Sequence, residues 1–165
     1  MKGMIPITRI TVKQLDELFR EDIRKRAIKE AGGCERCLSP KYDKIKENGD
    51  IFPAWKQLDT AHFIPRGNYH IRWDEDNAAG LCGGCHRAID DDFTKKDEFV
   101  KTRLGDRFEL LQGRQHQTGK VDRNAIYLYL LDQLKKLDRE GTRGRISHKT
   151  TTIKSKSRGW KNEMD

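Results

Sequence analysis

The sequence predicts a small α+β domain in which a strand–strand–helix unit is closed by a structural zinc ion and flanked by helices. Two Cys-x-x-Cys pairs, Cys34/Cys37 and Cys82/Cys85, enclose a segment that alternates between apolar and polar residues. Apolar residues recur at helical spacing before the first pair and after the second. Only 35% of the residues are apolar while 36% are charged, so we expect a small core in which metal binding contributes to folding.

The first helix is expected to begin after Thr11 and to end at Gly32 and Gly33. Thr11 and Gln14 have the spacing of a capping box, in which each side chain bonds the backbone N–H of the other residue. The glycine pair is a helix stop signal. Between these limits apolar residues recur every three or four positions, at Val12, Leu15, Leu18, Phe19, Ile23 and Ala27.

The segment between the two Cys pairs has strand periodicity. Residues 51–53 lead into an alternating strand over residues 56–63. Residues 65–68 contain proline, glycine and asparagine and predict a turn, after which residues 70–73 form a short second strand. Residues 74–77, with the sequence Asp-Glu-Asp-Asn, supply turn and capping residues ahead of a helix. The middle of the chain is therefore predicted to be strand–strand–helix.

Two further helices are predicted after the second Cys pair. One covers roughly residues 86–103 and ends near Gly105, and the other begins after Asp122. The amphipathic helices around Leu15 and Leu130 offer faces for a homodimer, although packing in the core is the more common use of such a face. The apolar face of the last helix contains Ile126, Leu130, Leu131, Leu134 and Leu137.

The cysteine spacing favours zinc over the alternatives. Two knuckles with two-residue spacing let four thiolates converge tetrahedrally on one ion, here across the 44 residues between Cys37 and Cys82. Disulfides are disfavoured because no hydrophobic signal segment precedes the pairs. A redox role for Cys-x-x-Cys needs a βαβ setting, which neither pair has.

The charge distribution predicts a polyanionic partner, most simply nucleic acid. The chain carries a net charge of +8. Residues 141–161 contain no acidic residue. They predict either a flexible arm that binds phosphates or a solvated tail. Trp160 slightly favours the phosphate-binding arm, because its ring can stack on a base. The cations of this arm are Arg143, Arg145, Lys149, Lys154, Lys156, Arg158 and Lys161. No stretch has the length of a membrane span, which predicts a soluble cytoplasmic protein without a membrane partner.

Three polar residues are candidates for catalysis. His62 ends the alternating strand, Asn77 precedes the helix, and His86 directly follows the second Cys pair. A strand-end histidine that faces a helix histidine can act as a general base, with the helix histidine as metal ligand. Phosphodiester hydrolysis needs such a base and a hard divalent cation, Mg²⁺ or Mn²⁺. The alternative for His62 is a purely structural histidine.

The motifs resemble the HNH (ββα-metal) nuclease superfamily, more narrowly the phage recombination nucleases of the NinG (Rap) type and more distantly phage endonuclease VII. The resemblance lies in the first Cys pair, the run AHFIPRGN and the run RWDEDNAAGLCGGCHRAI, and it covers about residues 17–112. It implies a zinc-stabilised, Mg²⁺-dependent endonuclease that acts on DNA, often on branched recombination intermediates such as Holliday junctions. If the gene belongs to a phage, the protein would act in the bacterial host cytoplasm.

The resemblance also implies roles for individual residues. His62 matches the general base, Asn77 matches the residue that braces the loop carrying the base, and His86 falls where relatives bind the catalytic cation. Many relatives have Asp or His directly before the base as a second metal ligand, whereas this chain has Ala61. Asp59, two residues before Ala61, is the candidate for that ligand, and its alternative role is a surface acid near Lys56. Asp74 and Asp76 are further candidates for the ligand.

Two arginines and four segments complete the predicted organisation. Arg66 and Arg72 flank the predicted hairpin and can bind phosphates on either side of the scissile bond, or they can be solvated surface cations. The predicted segments are an N-terminal helical segment at 1–33, a zinc-stabilised nuclease core at 34–112, a C-terminal helix at 113–140 and the basic arm at 141–165. The main alternative to a nuclease is a non-catalytic four-Cys zinc module that binds DNA.

Overall fold

The computed structural model describes residues 9–141, and these residues form five α-helices and two small antiparallel sheets. The α+β class is therefore confirmed. The helices are α1 (Val12–Ala31), α2 (Gly83–Asp91), α3 (Phe93–Leu104), α4 (Arg107–Gln115) and α5 (Arg123–Glu140). The strands are β1 (Lys44–Ile45), β2 (Ile51–Phe52), β3 (Asp59–His62) and β4 (Ala78–Leu81), and short 3₁₀ turns cover Ala54–Gln57 and Glu75–Asn77. None of these helices is long and apolar enough to cross a membrane.

The first helix begins and ends where the sequence predicts. Gln14 N donates to Thr11 Oγ1 at 3.2 Å, and Thr11 N donates to Gln14 Oε1 at 2.8 Å, which completes the capping box. Gly32 ends the helix in the left-handed conformation. Leu15, Phe19 and their neighbours on the same face are buried, so α1 forms one wall of the core.

The central sheet differs from the prediction in its second strand. β3 pairs with β4, with Asp59 opposite Leu81 and His62 opposite Ala78, whereas residues 70–73 form turns. The predicted strand at 70–73 is therefore wrong. All four residues of β4 are buried, so this strand has no polar face and no alternating pattern that would reveal it.

A close approach of β4 to α1 joins the sheet to the first helix. A Cβ at Gly80 would lie 2.5 Å from the Cβ of Ala27, which is far closer than two carbon atoms can pack. The absence of a side chain at Gly80 is therefore what lets β4 lie directly against α1. Because β4 also pairs with β3, this contact sets how far His62 lies from the helix.

After the second Cys pair the described chain forms four helices instead of the two expected. The predicted helix at 86–103 is interrupted at Asp92, whose Oδ1 accepts hydrogen bonds from Thr94 N and Lys95 N at 2.9 and 3.2 Å. This side chain caps α3 and so competes with a continuous helix. The helix α4 was not expected; residue 112, the predicted end of the core, lies inside it. The predicted helix after Asp122 is confirmed as α5, which packs Leu130 against the face of α1.

One carboxylate is buried inside this packing. Asp22 is 1% exposed, and its Oδ1 has no hydrogen-bond partner among the described residues. Its Oδ2 accepts from Arg26 Nη2 at 3.3 Å, and Arg26 also pairs with Glu75. Burial raises the pKa of Asp22 from its ordinary 3.8 to about 6, although the charge of Arg26 opposes this. The protonated form of Asp22 is therefore the one that suits the folded state.

Replacing this carboxylate by an amide should stabilise the domain at neutral pH. Because the pKa of Asp22 is higher in the folded state than in the unfolded state, protonation of Asp22 favours folding. This contribution to the free energy of unfolding is fully present below about pH 4 and is lost as the pH rises through about 6. The free energy of unfolding of Asp22→Asn, relative to that of the wild type, should therefore increase between pH 4 and pH 7. The increase should be at most about 3 kcal/mol.

Urea unfolding of both proteins at several pH values measures the difference in their free energies of unfolding. The pH dependence of the cysteines is the same in both proteins and cancels in this difference. Asp91→Asn, which removes an exposed carboxylate, is the control and should show no comparable gain. A difference between Asp22→Asn and wild type that stays constant with pH would contradict the assignment.

Candidate functional site

The four cysteines converge on one point and could hold a zinc ion. Their Sγ atoms all lie within 4.8 Å of one another, and those of Cys37 and Cys82 are 3.8 Å apart. A tetrahedral zinc with Zn–S bonds of about 2.3 Å places its sulfur atoms about 3.8 Å apart. All four are free thiols rather than disulfides. The donor set and its spacing therefore fit a closed structural zinc site.

Backbone geometry shapes the first knuckle. Cys34 N donates to Ser39 O at 3.1 Å, and Leu38 N donates to Cys34 O at 2.9 Å, with Leu38 in the left-handed conformation. A Cβ at Gly33 would lie 2.1 Å from Ser39 O. Only glycine therefore allows the chain to close this loop and turn both thiols inward.

The second knuckle is the junction between β4 and α2. Cys82 precedes the helix, Cys85 lies in its first turn, and His86 N donates to Cys82 O at 2.9 Å. The backbone N–H of Cys85 lowers the pKa of the Cys82 thiol to about 7, whereas burial raises the pKa of Cys85 to about 12. A bound divalent cation would favour the thiolate form of both.

Polar contacts tie the first knuckle to the sheet and to α2. Glu35 N donates to Gly80 O at 3.0 Å, and the Glu35 carboxylate accepts from Gly80 N and from Arg103. Arg36 Nη1 donates to Cys85 Sγ at 3.7 Å. The two knuckles are thus held together by protein contacts as well as by their shared sulfur cluster.

An open cleft of about 620 Å³ lies between α1, β3 and α2. It contains three of the predicted site residues, His62, His86 and Asp59, together with the predicted phosphate ligand Arg66. Its full lining is Asp16, Phe19, Arg20, Arg24, Asp59, Thr60, His62, Pro65, Arg66, His86 and Asp90.

His62 is held at the end of β3 in a defined tautomer. Its Nε2 lies 3.0 Å from the carbonyl oxygen of Arg72, and its ring packs on Phe19 with 5.6 Å between centroids. A carbonyl only accepts hydrogen bonds, so Nε2 carries the proton and Nδ1 keeps its lone pair. Burial lowers the pKa of His62; the hydrogen bond to the carbonyl opposes this shift and the charge of Arg66 adds to it. The neutral form, which can accept a proton, is therefore favoured.

Asn77 braces the loop that follows His62. It is fully buried, its Oδ1 accepts from Ile64 N at 2.7 Å, and its Nδ2 donates to Ile64 O and Ile71 O, both at 3.1 Å. Its own carbonyl accepts from Phe63 N at 2.9 Å. Asn77 therefore fixes the first residues after His62 and the far end of the same loop.

His86 lies between two carboxylates. Its Nδ1 is 3.4 Å from Asp59 Oδ2, and its Nε2 is 3.4 Å from Asp90 Oδ2. If one ring nitrogen binds a cation, the carboxylate on the other nitrogen orients the ring. Asp59 reaches His86 although Ala61, the residue directly before His62, is buried and apolar. Asp90 was not singled out from the sequence, but its position four residues after His86 on one helix was an available signal.

The described residues contain no third ligand placed for a catalytic cation. Among residues 9–141, the four cysteines form the one group of three or more potential ligands that converge. Asp59 and His86 would therefore hold a cation together with water or phosphate oxygens, as Mg²⁺ commonly allows. Asp74 and Asp76, the further candidates, both accept from Arg114 and do not line the cleft.

Arg72 and Arg66 have different surroundings. Arg72 Nε and Nη2 donate to the two carboxylate oxygens of Asp16 at 2.9 and 2.6 Å, and Nη1 donates to Arg66 O at 2.8 Å. Each guanidinium nitrogen of Arg72 already has a partner, so this residue ties the loop to α1 instead of facing the cleft. The exposed side chain of Arg66 lines the cleft itself. The predicted arm residues Arg143, Arg145, Lys154, Lys156 and Arg158 lie outside the described residues.

Comparison of the chain with protein-family models, with curated proteins and with solved structures finds no match.

If the thiols share one ion, the purified protein should contain one zinc per chain. Cys37→Ser should lose the zinc and much of the folding free energy, because metal binding supplies folding energy in a domain with a small core. Cys37 is exposed, so its substitution changes the metal site without disturbing the core, whereas Cys85→Ser changes both.

Metal analysis and thermal unfolding measure the effect. The control is the wild type with its zinc removed, which should unfold at about the same temperature as Cys37→Ser. A Cys37→Ser protein that keeps wild-type stability would show that the thiols do not share a structural ion.

Proposed function

We propose that this protein is a metal-dependent endonuclease that hydrolyses phosphodiester bonds in DNA, with branched or recombination intermediates as its substrates. The observation that carries the proposal is the arrangement in one cleft of a neutral histidine, His62, and a histidine–carboxylate pair, His86 and Asp59. The loop after His62 is fixed by Asn77. The sequence β3–β4–α2 supplies a strand–strand–helix unit, which is the order that the resemblance to the HNH superfamily implies.

The proposed chemistry begins at His62 Nδ1. This atom keeps a lone pair because Nε2 donates to the Arg72 carbonyl, so it can take a proton from a water molecule that attacks the phosphorus. The Arg72 carbonyl then stabilises the imidazolium that forms. Asp59 and His86 would hold Mg²⁺ or Mn²⁺, which supplies charge neutralisation at the phosphate and the leaving oxygen.

The surroundings of the cleft support a polyanionic substrate. Arg66 lies beside His62 at the cleft wall, and the chain carries a net charge of +8. The cleft is open to solvent rather than enclosed, which suits a polymer better than a small molecule. The preference for branched DNA rests on the resemblance alone, and cleavage of linear, forked and four-way junction DNA tests it.

One observation favours the alternative, a zinc module that binds DNA without cutting it. His62 is packed on Phe19 and bonded to a carbonyl, as a structural histidine would be. That alternative explains the charge and the cysteines but gives no role to the pairing of His86 with two carboxylates in the same cleft. The two functions differ in the outcome of substitution at His62.

Substitution of the two histidines should inactivate the enzyme in different ways. His62→Ala should lower the cleavage rate by roughly 10²–10⁴-fold, because it removes the group that accepts the proton. His86→Ala should also inactivate the enzyme, but through weaker cation binding. A high Mn²⁺ concentration should therefore restore part of the activity of His86→Ala and none of the activity of His62→Ala. Cleavage of a supercoiled plasmid and of junction DNA measures both.

The matched control is His116→Ala, which removes an exposed histidine outside the cleft and should cut at the wild-type rate. All variants should keep their zinc, and His62→Ala should keep its affinity for DNA. If His62→Ala cuts at the wild-type rate in Mg²⁺, the assignment of the base is wrong and the zinc-module alternative is favoured.

The pH dependence should follow the lowered pKa of His62. Because burial shifts this pKa below the ordinary value of about 6.5, His62 should be neutral and active at pH 7, and activity should fall as the pH drops through the shifted value. Titration of the His62 imidazole signal by NMR gives the pKa directly. A pKa for His62 above its ordinary value of 6.5 would contradict this description of the site.

A further inference from the structure

Two arginines on α1 line the cleft opposite His62, and neither was singled out from the sequence. Arg20 and Arg24 are four residues apart and therefore lie on the same face of the helix. Arg20 Nε donates to Asp16 O at 3.2 Å, and Arg24 Nε donates to Arg20 O at 2.9 Å. These bonds use one nitrogen of each guanidinium and leave the two terminal nitrogens of each for another partner.

Neither arginine forms an ion pair with a carboxylate among residues 9–141. The neighbouring acids have other partners. Glu21 pairs with Lys25, Asp16 pairs with Arg72, and Asp59 contacts His86. Two like charges four residues apart destabilise a helix, and burial together with the charge of Arg20 lowers the pKa of Arg24. The charges of Glu21 and Asp59 oppose this shift only in part, since the pKa of Arg24 remains below its ordinary value.

The packing around the two arginines holds them in place. The Arg24 guanidinium lies over Trp55, with Cζ 5.0 Å from the ring centroid, and Lys56 Nζ lies 5.4 Å from the same centroid. Thr60 Oγ1 donates to Arg20 O at 3.2 Å and so links α1 to β3. Arg20 and Arg24 line the cleft, and their neighbour Trp55 also contacts Lys56, which lies outside the cleft lining.

We propose that Arg20 and Arg24, continued by Lys56, form a phosphate-binding track on which the DNA backbone lies as it leaves the catalytic cleft. Their Cα atoms are about 6 Å apart along the helix axis, a spacing suited to successive phosphates of one strand. The track contacts the backbone and reads no sequence. Its role beside the scissile bond rests on the proposed function, whereas its binding of DNA is independent of cleavage.

The test measures DNA affinity against salt concentration without added divalent cation, so that cleavage does not interfere. Arg20→Gln/Arg24→Gln should flatten the log–log salt dependence by up to about 1.8 for duplex DNA, because each lost phosphate contact removes about 0.9 from the slope. Arg20→Lys/Arg24→Lys keeps both charges and should retain most of the wild-type slope.

The matched control is Lys135→Gln/Arg139→Gln on α5. This pair has the same four-residue spacing, and Arg139 Nε donates to Lys135 O at 3.3 Å, but neither residue lines the cleft. The control loses the same two charges and should keep a slope close to that of the wild type. Zinc content and unfolding temperature establish that all variants are folded.

The outcomes separate the track from the proposed function. Equal slopes for Arg20→Gln/Arg24→Gln and for the α5 control would overturn the track, as would a wild type that does not bind DNA. A flattened slope in a protein that cuts no DNA would support the track and contradict the nuclease. A flattened slope with cleavage that falls at moderate salt and recovers at low salt supports both.

Discussion

The four thiol groups meet where β4 turns into α2, and the geometry of the candidate site depends on this junction. β4 pairs with β3, which ends at His62, while α2 begins at the second Cys pair and carries His86 one residue later. The first knuckle closes on the same point from the end of α1. The sulfur cluster therefore fixes the distance between a strand and a helix that each contribute one histidine to the cleft, and a shift at the cluster would separate them.

Asn77 plays the corresponding part at the other end of the sheet. A fully buried amide is unfavourable unless its hydrogen bonds are made, and Asn77 makes three with its side chain, all to the backbone of the loop after His62. An apolar residue of similar size would fill the space but leave those backbone groups without partners. A buried asparagine contributes less hydrophobic stabilisation than an apolar residue would, but it fixes the conformation of the loop. A fixed loop suits a site in which the orientation of one imidazole matters.

Local sequence signals predicted the elements that depend on local interactions. The capping box at Thr11, the apolar faces of α1 and α5, and the spacing of the cysteines are all visible without knowledge of the fold. The errors arise where distant packing decides. β4 is buried on both faces and lacks alternation, and Arg72 is held by Asp16, 56 residues away. The interruption at Asp92 is different, because it depends on a local cap that periodicity alone does not reveal. Arg20 and Arg24 belong to the cleft only because β3 packs beside α1.

The cleft combines two kinds of charge, and their positions differ. Asp59 and Asp90 flank His86 at the α2 side, whereas Arg20 and Arg24 lie on α1 and Arg66 follows β3. A phosphate near His86 would be repelled by the two carboxylates unless a divalent cation lay between them. A phosphate on the α1 side would be attracted without any cation. In the proposed function, the arginines would therefore hold the DNA backbone without a cation, whereas a phosphate could approach His62 only with a cation at Asp59 and His86.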